Sequence, residues 1–472
     1  MRLRAPQLDV PLDNPFQNDM LCRQPAVEAL TNILKSSNEP FVISINAPWG
    51  YGKSTFLRML ESHLKANSLK TITFNAWESD YIDDPFVALL GDTESQLNSL
   101  KGRDNTSLQD KINKAKKYGG KIIRAAIPAA VKIGTAGIIN LDELTESTIA
   151  DAAEKFTQDQ IDSYSEAKRS IASFRDELSG IAKSLYTNDS QLPLVFIIDE
   201  LDRCRPTHAV RLLEIIKHFF SIDRISFVIA LDPDQLGHSV KTLYGQEMDV
   251  NGYLKRFFDL ELNLPKPNLE DFLNAQFSRF GLEEFFTIRT QYREAAYDKD
   301  QLQRIFKHLF SILKFSFREH ERAFTLLSLA IRATPQNHHL HPVILGCLII
   351  LKIKNSTLYK DFIAGQARAE TVQARAETVM EYLSTGLEGK KFAQSHHGYI
   401  LEAELLCAQI QVHEQDNLYD KFSEQAKDQT LSREARDRAE IIAQVAKEKR
   451  FNHRHLNIDS IASKIDLVGD IR

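Results

Sequence analysis

Residues 41–45 read FVISI, residues 47–55 read APWGYGKST, and residues 56–61 continue as FLRMLE. A β-branched apolar run, a glycine-bearing loop ending in Gly-Lys-Ser and an apolar-periodic helix make a strand–loop–helix unit. Few folds outside the parallel α/β class accommodate one. The loop fits the phosphate-binding pattern G-x-x-x-x-G-K-[ST] with one departure, Ala47 in place of the first glycine. Each part has its own task. Gly50 and Gly52 permit left-handed backbone and close approach to an anion. The amides from Gly50 and Tyr51 through Thr55 open the helix and are expected to point at phosphate oxygens. Lys53 is placed to reach the β- and γ-phosphates, and the Ser54 hydroxyl to hold Mg²⁺. Ala47 falls at the strand end, where a small residue suffices, so the departure is not expected to abolish binding.

A nucleotide site needs an acidic half, and residues 194–200, LVFIIDE, supply one. Five apolar residues running into two acids describe a buried parallel strand with carboxylates at its C-terminal end. Asp199 is the expected metal-side acid and Glu200 the expected general base. On its own the run would equally suit an Asp199 that only caps the next helix. Asp202 and Arg203 follow closely enough to form a local ion pair. Cys204 lacks a histidine base pattern, which favours a small buried packing residue over a nucleophile.

Taken together, the loop with Trp49 in it, the segment TFNAW at residues 73–77 and LVFIIDELDRCRP at residues 194–206 resemble the KAP family of P-loop NTPases. The resemblance spans roughly residues 10–335. It implies an additional-strand ATPase core, related to AAA+ and STAND switches, that binds ATP with Mg²⁺. It also implies roles for four further residues. Arg23, heading an R-x-x-A-x-x-x-L helix, would lie near the nucleotide base. Asp232, ending the strand ISFVIALD at residues 225–232, stands where related ATPases place a sensor group. Arg256, beside Lys255 and just before the last core strand, stands where AAA+ relatives place an arginine finger. Its alternative is a solvated basic helix end. Arg318 follows Ser316, whose spacing to Glu319 makes a capping box. It would contact the γ-phosphate as a second sensor or be a surface arginine of an ordinary helix.

The expected fold class is thus α/β, a P-loop NTPase core of three layers around a parallel sheet with a helical insertion, followed by an all-α C-terminal region. The expected boundaries are 1–81 and 193–265 for the core, 82–192 for the insertion, 266–335 for a helical lid and 336–472 for the C-terminal region. In the insertion, residues 121–140, KIIRAAIPAAVKIGTAGIIN, are interrupted by Lys121, Arg124, Pro128 and Lys132 and fall short of the roughly 20 apolar residues a membrane span needs. A buried hairpin with breaks at Gly119–Gly120 and at Gly134 and Gly137 is expected instead, with peripheral membrane contact still open. The repeat ARAETVQ-ARAETVM at residues 367–380 puts two copies on one helix stripe.

A net charge of −5 over 472 residues argues against a global grip on nucleic acid. Four scattered cysteines without a CxxC pair point to reduced thiols, a cytoplasmic location and no zinc site. The functional expectation is an Mg²⁺-dependent ATP hydrolase acting as a conformational switch. The resemblance permits a role in bacterial defence against phage or plasmids, with a homo-oligomer or an effector protein as partner. The alternatives are a non-hydrolysing ATP-binding scaffold and a DNA-associated ATPase.

Overall fold

The computed structural model describes residues 8–100, 106–126, 146–186, 192–265, 268–292, 295–335, 338–364, 372–410, 415–451 and 456–466. The chain divides into two compact units, Leu8–Lys266 and a second built on Pro267–Arg472.

The first unit is organised by five strands: β1 (Phe41–Asn46), β2 (Lys70–Asn75), β3 (Leu194–Asp199), β4 (Ile225–Leu231) and β5 (Leu260–Asn263). All pair in parallel, in the order β2-β3-β4-β1-β5. β4 therefore lies between the phosphate-loop strand and the acidic strand, as the additional-strand reading implies. The strands are near-continuous apolar runs because both faces are covered. Val195 and Ile197 face α1 (Gln24–Ser36) and α2 (Lys53–Ala66), packing with Leu30, Phe56 and Leu60. Phe196 and Ile198 point to the opposite layer. That layer holds α3 (Pro85–Leu100), α4 (Thr106–Ala126), α5 (Glu146–Ser184), α6 (Pro206–Phe219) and α7 (Pro233–Tyr244). The short α8 (Val250–Leu254) precedes β5. Register brings the strand ends level, with Asn75 beside Asp199 and Asn46 beside Leu231.

Between β2 and β3 the chain forms α3, α4 and α5. Helix α4 runs straight through Gly119 and Gly120, so the expected break is absent. The packing explains it. A Cβ at Gly119 would stand 2.6 Å from Leu90, making that glycine a close-contact position within a helix. Residues 127–145, which include most of the apolar stretch read above, lie outside the described residues. Among the described residues, no helix is long and apolar enough to cross a membrane.

The second unit is all-helical: α9 (Leu269–Arg279), α10 (Glu283–Arg289), α11 (Asp298–Ile312), α12 (Phe317–Arg332), α13 (Pro342–Lys354), α14 (Ser356–Ile363), α15 (Val372–Leu383), α16 (Gly386–Ala393), α17 (His396–Gln409), α18 (Gln415–Lys427), α19 (Arg433–Phe451) and α20 (Ile458–Asp466). One apolar core, with Phe277, Phe306, Phe324, Leu348, Leu405 and Ile442, runs through it. Helix α13 is buried on every side from Pro342 to Leu351, which makes it the central helix of this unit. The first copy of the ARAETV repeat lies largely outside the described residues, and the second falls on α15.

His320 of α12 sits among Phe272, Phe310 and Phe315, and burial holds its imidazole down at about 4 from an ordinary 6.5. Between those values the unfolded chain takes up a proton that the folded chain refuses. Stability should therefore fall as pH drops through this window, by on the order of 3 kcal/mol over its full width. His320→Phe should flatten the slope of unfolding free energy against pH from 6.5 to 4. A slope identical to wild type in urea titrations would contradict this assignment.

Candidate nucleotide site at the strand ends

The loop after β1 takes the conformation its glycines allow. Gly50 and Gly52 have φ of 79° and 81°, and Gly52 stands directly before α2, whose first residue is Lys53. The lysine folds back under the loop. Its Nζ donates to the Ala47 carbonyl at 2.7 Å and to Asp202 Oδ2 at 3.4 Å. Arg23 is buried at the head of α1, where its guanidinium donates to the Pro265 carbonyl at 2.7 Å and to the Tyr51 carbonyl at 3.5 Å. It ties the loop to the chain leaving β5, a positioning role that R-x-x-A-x-x-x-L spacing does not reveal. Burial lowers its pKa. Thr55 accepts from Arg58 one turn along α2.

The parallel register carries the acids to the same edge. The Ser54 side chain lies near the Asp199 carboxyl, and the Glu200 amide donates to Asp199 Oδ1 at 2.8 Å. Burial raises the Asp199 pKa above the usual carboxylate range, although Ser54 and the Glu200 amide oppose the shift. Glu200 turns out of the strand with φ of 60°. Its carboxylate is held from two sides. Asn75 Nδ2 lies 3.4 Å from Oε2, and Arg203 pairs with Oε1 at 2.5 Å. Arg203 thus pairs with Glu200 rather than with its neighbour Asp202. The single turn of 3₁₀ helix at Leu201–Arg203 accounts for this, since three residues per turn bring side chains i and i+3 into line.

Asp202 is the site residue that sequence reasoning missed. Its side chain is 1% exposed, and Oδ2 alone receives Lys53 Nζ, Trp49 Nε1 at 2.7 Å and the Asp232 amide at 2.9 Å. One buried carboxylate therefore joins the phosphate loop, the acidic strand and the end of β4. The signal was present as a third acid three residues after Asp199, but its partners lie far away in sequence. Asp232 accepts from the amides of Asp234 and Gln235 at the start of α7 and from the Trp49 amide. All its contacts are thus with backbone donors. Trp49 and Trp77 remain about half exposed and line an open cleft of about 470 Å³ with Arg203, Gln235 and His238. The Arg203 guanidinium lies 5.8 Å from the Trp77 ring centroid.

Two further arginines are read from resemblance. Arg256 lies in the turn after α8 rather than on that helix, and it is exposed. Arg318 belongs to the second unit, exposed in the first turn of α12, behind the capping box in which Ser316 and Glu319 each receive the other's amide. Burial pushes the Cys204 thiol up to about 12, which makes it a poor nucleophile.

The solved structure of the Aeropyrum pernix ORC2 protein, in ADPNP and ADP complexes, is 12% identical with a TM-score of 0.35, covering 91% of this chain and 94% of that one. An uncharacterized protein of Methanocaldococcus jannaschii is 29% identical over 178 residues, 34% of this chain and 89% of its own length. The model of the KAP family P-loop domain matches residues 23–283, more than half of the chain and the whole of the site just described. With its phosphate loop, acidic strand and interposed β4 in one parallel sheet, the chain belongs to the KAP family of P-loop domains.

Proposed function

We propose that this protein is an Mg²⁺-dependent ATPase whose turnover switches the arrangement of the chain. The observation that carries the reading is the joining of the phosphate loop to the acidic strand through Asp202, with Lys53 beneath the loop and the Ser54 side chain near the Asp199 carboxyl. A hydroxyl and a carboxylate are the hard oxygen donors Mg²⁺ takes, so the residues fit the ion. Ser54 and Asp199 would hold the ion, whose charge would offset that of the phosphates.

The chain's own residues do the rest. The loop amides and the N-terminus of α2 cradle the phosphates, and Lys53 exchanges Asp202 for phosphate oxygens. Glu200 leaves Asn75 and Arg203 to accept a proton from the attacking water. An exposed Arg256 suits a finger acting on a neighbouring copy, which would couple assembly to hydrolysis, and Arg318 is the second candidate for that charge. A place in bacterial defence rests on family resemblance alone and adds no residue to the site.

Steady-state ATP turnover with Mg²⁺ tests the reading. Lys53→Ala should lose turnover and weaken nucleotide binding, read through Trp49, whose indole shares Asp202 with Lys53. Full activity in Lys53→Ala would overturn the proposal.

A further inference from the structure

Just beyond the acidic strand lies a cluster that the ATPase reading leaves unused. Cys204 follows the 3₁₀ turn in extended backbone, Pro206 opens α6, and His208 falls in that helix's first turn. Asp80 comes from the turn after β2. One ligand atom from each of the three lies within 4.8 Å of the others. Cys204 and His208 are 6% and 3% exposed. Asp80 Oδ1 stands 3.3 Å from His208 Nδ1, and the Ile82 backbone is near. Even so, neither ring nitrogen meets a hydrogen-bond partner in good geometry. A buried imidazole without a well-aligned partner is costly, and an ion held by its lone pair would offset that cost.

We propose that Asp80, Cys204 and His208 form a binding site for a borderline divalent cation of the zinc class, with water as the fourth ligand. The donor set carries the choice of metal. A thiolate, an imidazole and a carboxylate suit Zn²⁺ or Co²⁺, whereas Mg²⁺ prefers the all-oxygen pair at Ser54 and Asp199. Spacing agrees. With tetrahedral bonds of about 2.0–2.3 Å, ligand atoms lie about 3.3–3.8 Å apart, and the Asp80–His208 separation is 3.3 Å. The carboxylate is already oriented from behind. Arg205 donates its amide to Oδ2 at 3.1 Å and Nε to Oδ1 at 3.2 Å, leaving the remaining lone pairs for the ion. The Cys204 thiol contacts the Glu200 carbonyl at 3.7 Å. On binding, the thiol proton passes to solvent and the sulfur bonds the metal. The ion would staple the turn carrying Trp77 to the segment just beyond Glu200.

Cobalt titration of the full chain tests this. Wild type should bind one Co²⁺ per chain with a thiolate-to-cobalt charge-transfer band, which Zn²⁺ removes and Mg²⁺ leaves in place. Cys204→Ser should abolish the band. Cys22→Ser, which alters an exposed thiol, should retain it. Because the wild-type spectrum needs no variant, a folding defect in Cys204→Ser cannot rescue the idea. The absence of a thiolate band in wild type overturns it, as does a band that survives Cys204→Ser.

Discussion

Glu200→Gln should lower ATP turnover by about 10²–10⁴-fold, the usual contribution of a positioned general base, while leaving nucleotide affinity close to wild type. The side chain keeps its length and its ability to meet Asn75, so the strand end stays as it is. What disappears is the carboxylate that pairs with Arg203 and is proposed to accept the water's proton. The phosphate loop, Lys53 and Asp199 are untouched, so binding and chemistry should separate. Turnover under saturating ATP, together with binding followed by Trp49 fluorescence, makes the distinction. Turnover equal to wild type would remove Glu200 from the chemistry, and a parallel loss of binding would make it a structural residue.

The second large effect concerns stability. In the all-helical unit, Arg289 and Asp298 are buried together. Arg289 Nε and an Nη donate to Asp298 Oδ2 at 3.0 and 2.5 Å, and the same Nη donates to the His338 carbonyl at 2.9 Å. Asp298→Ala would leave a guanidinium in the core without its countercharge, at a cost of about 3–5 kcal/mol. Replacing both partners, as in Arg289→Met with Asp298→Leu, should recover most of the loss, because the penalty belongs to the stranded charge rather than to the missing contact. Urea denaturation followed by far-ultraviolet circular dichroism gives the comparison. Near-equal stability of Asp298→Ala and wild type would show that water reaches the arginine.

The nucleotide half of this protein was legible because its signals are local. A strand, a glycine-bearing loop and a helix follow one another within residues 41–66, and an apolar run ending in Asp199 needs no distant partner to be read. The position of β4 between β1 and β3 came from resemblance, since periodicity gives strands but not their neighbours. Asp202 escaped because its meaning is made by Lys53 and Trp49, about 150 residues earlier. The ligand cluster escaped for the same reason. Cys204 and His208 are four residues apart and form no recognised spacing until Asp80, from another strand end, is beside them. Helices of the second unit were readable from apolar spacing, whereas the all-round burial of α13 depends on which helices surround it.

The left-handed backbone at Glu200 has a consequence of its own. A side chain at φ of 60° costs about 1–2 kcal/mol that glycine would avoid. A straight continuation of β3 would send the next side chain to the opposite face of the sheet. The sharp bend instead turns the carboxylate sideways, along the sheet's edge toward Asn75. The most relaxed sequence at this position is therefore an inert one. The strain accords with the general-base role proposed for Glu200, since selection for stability alone would favour glycine there.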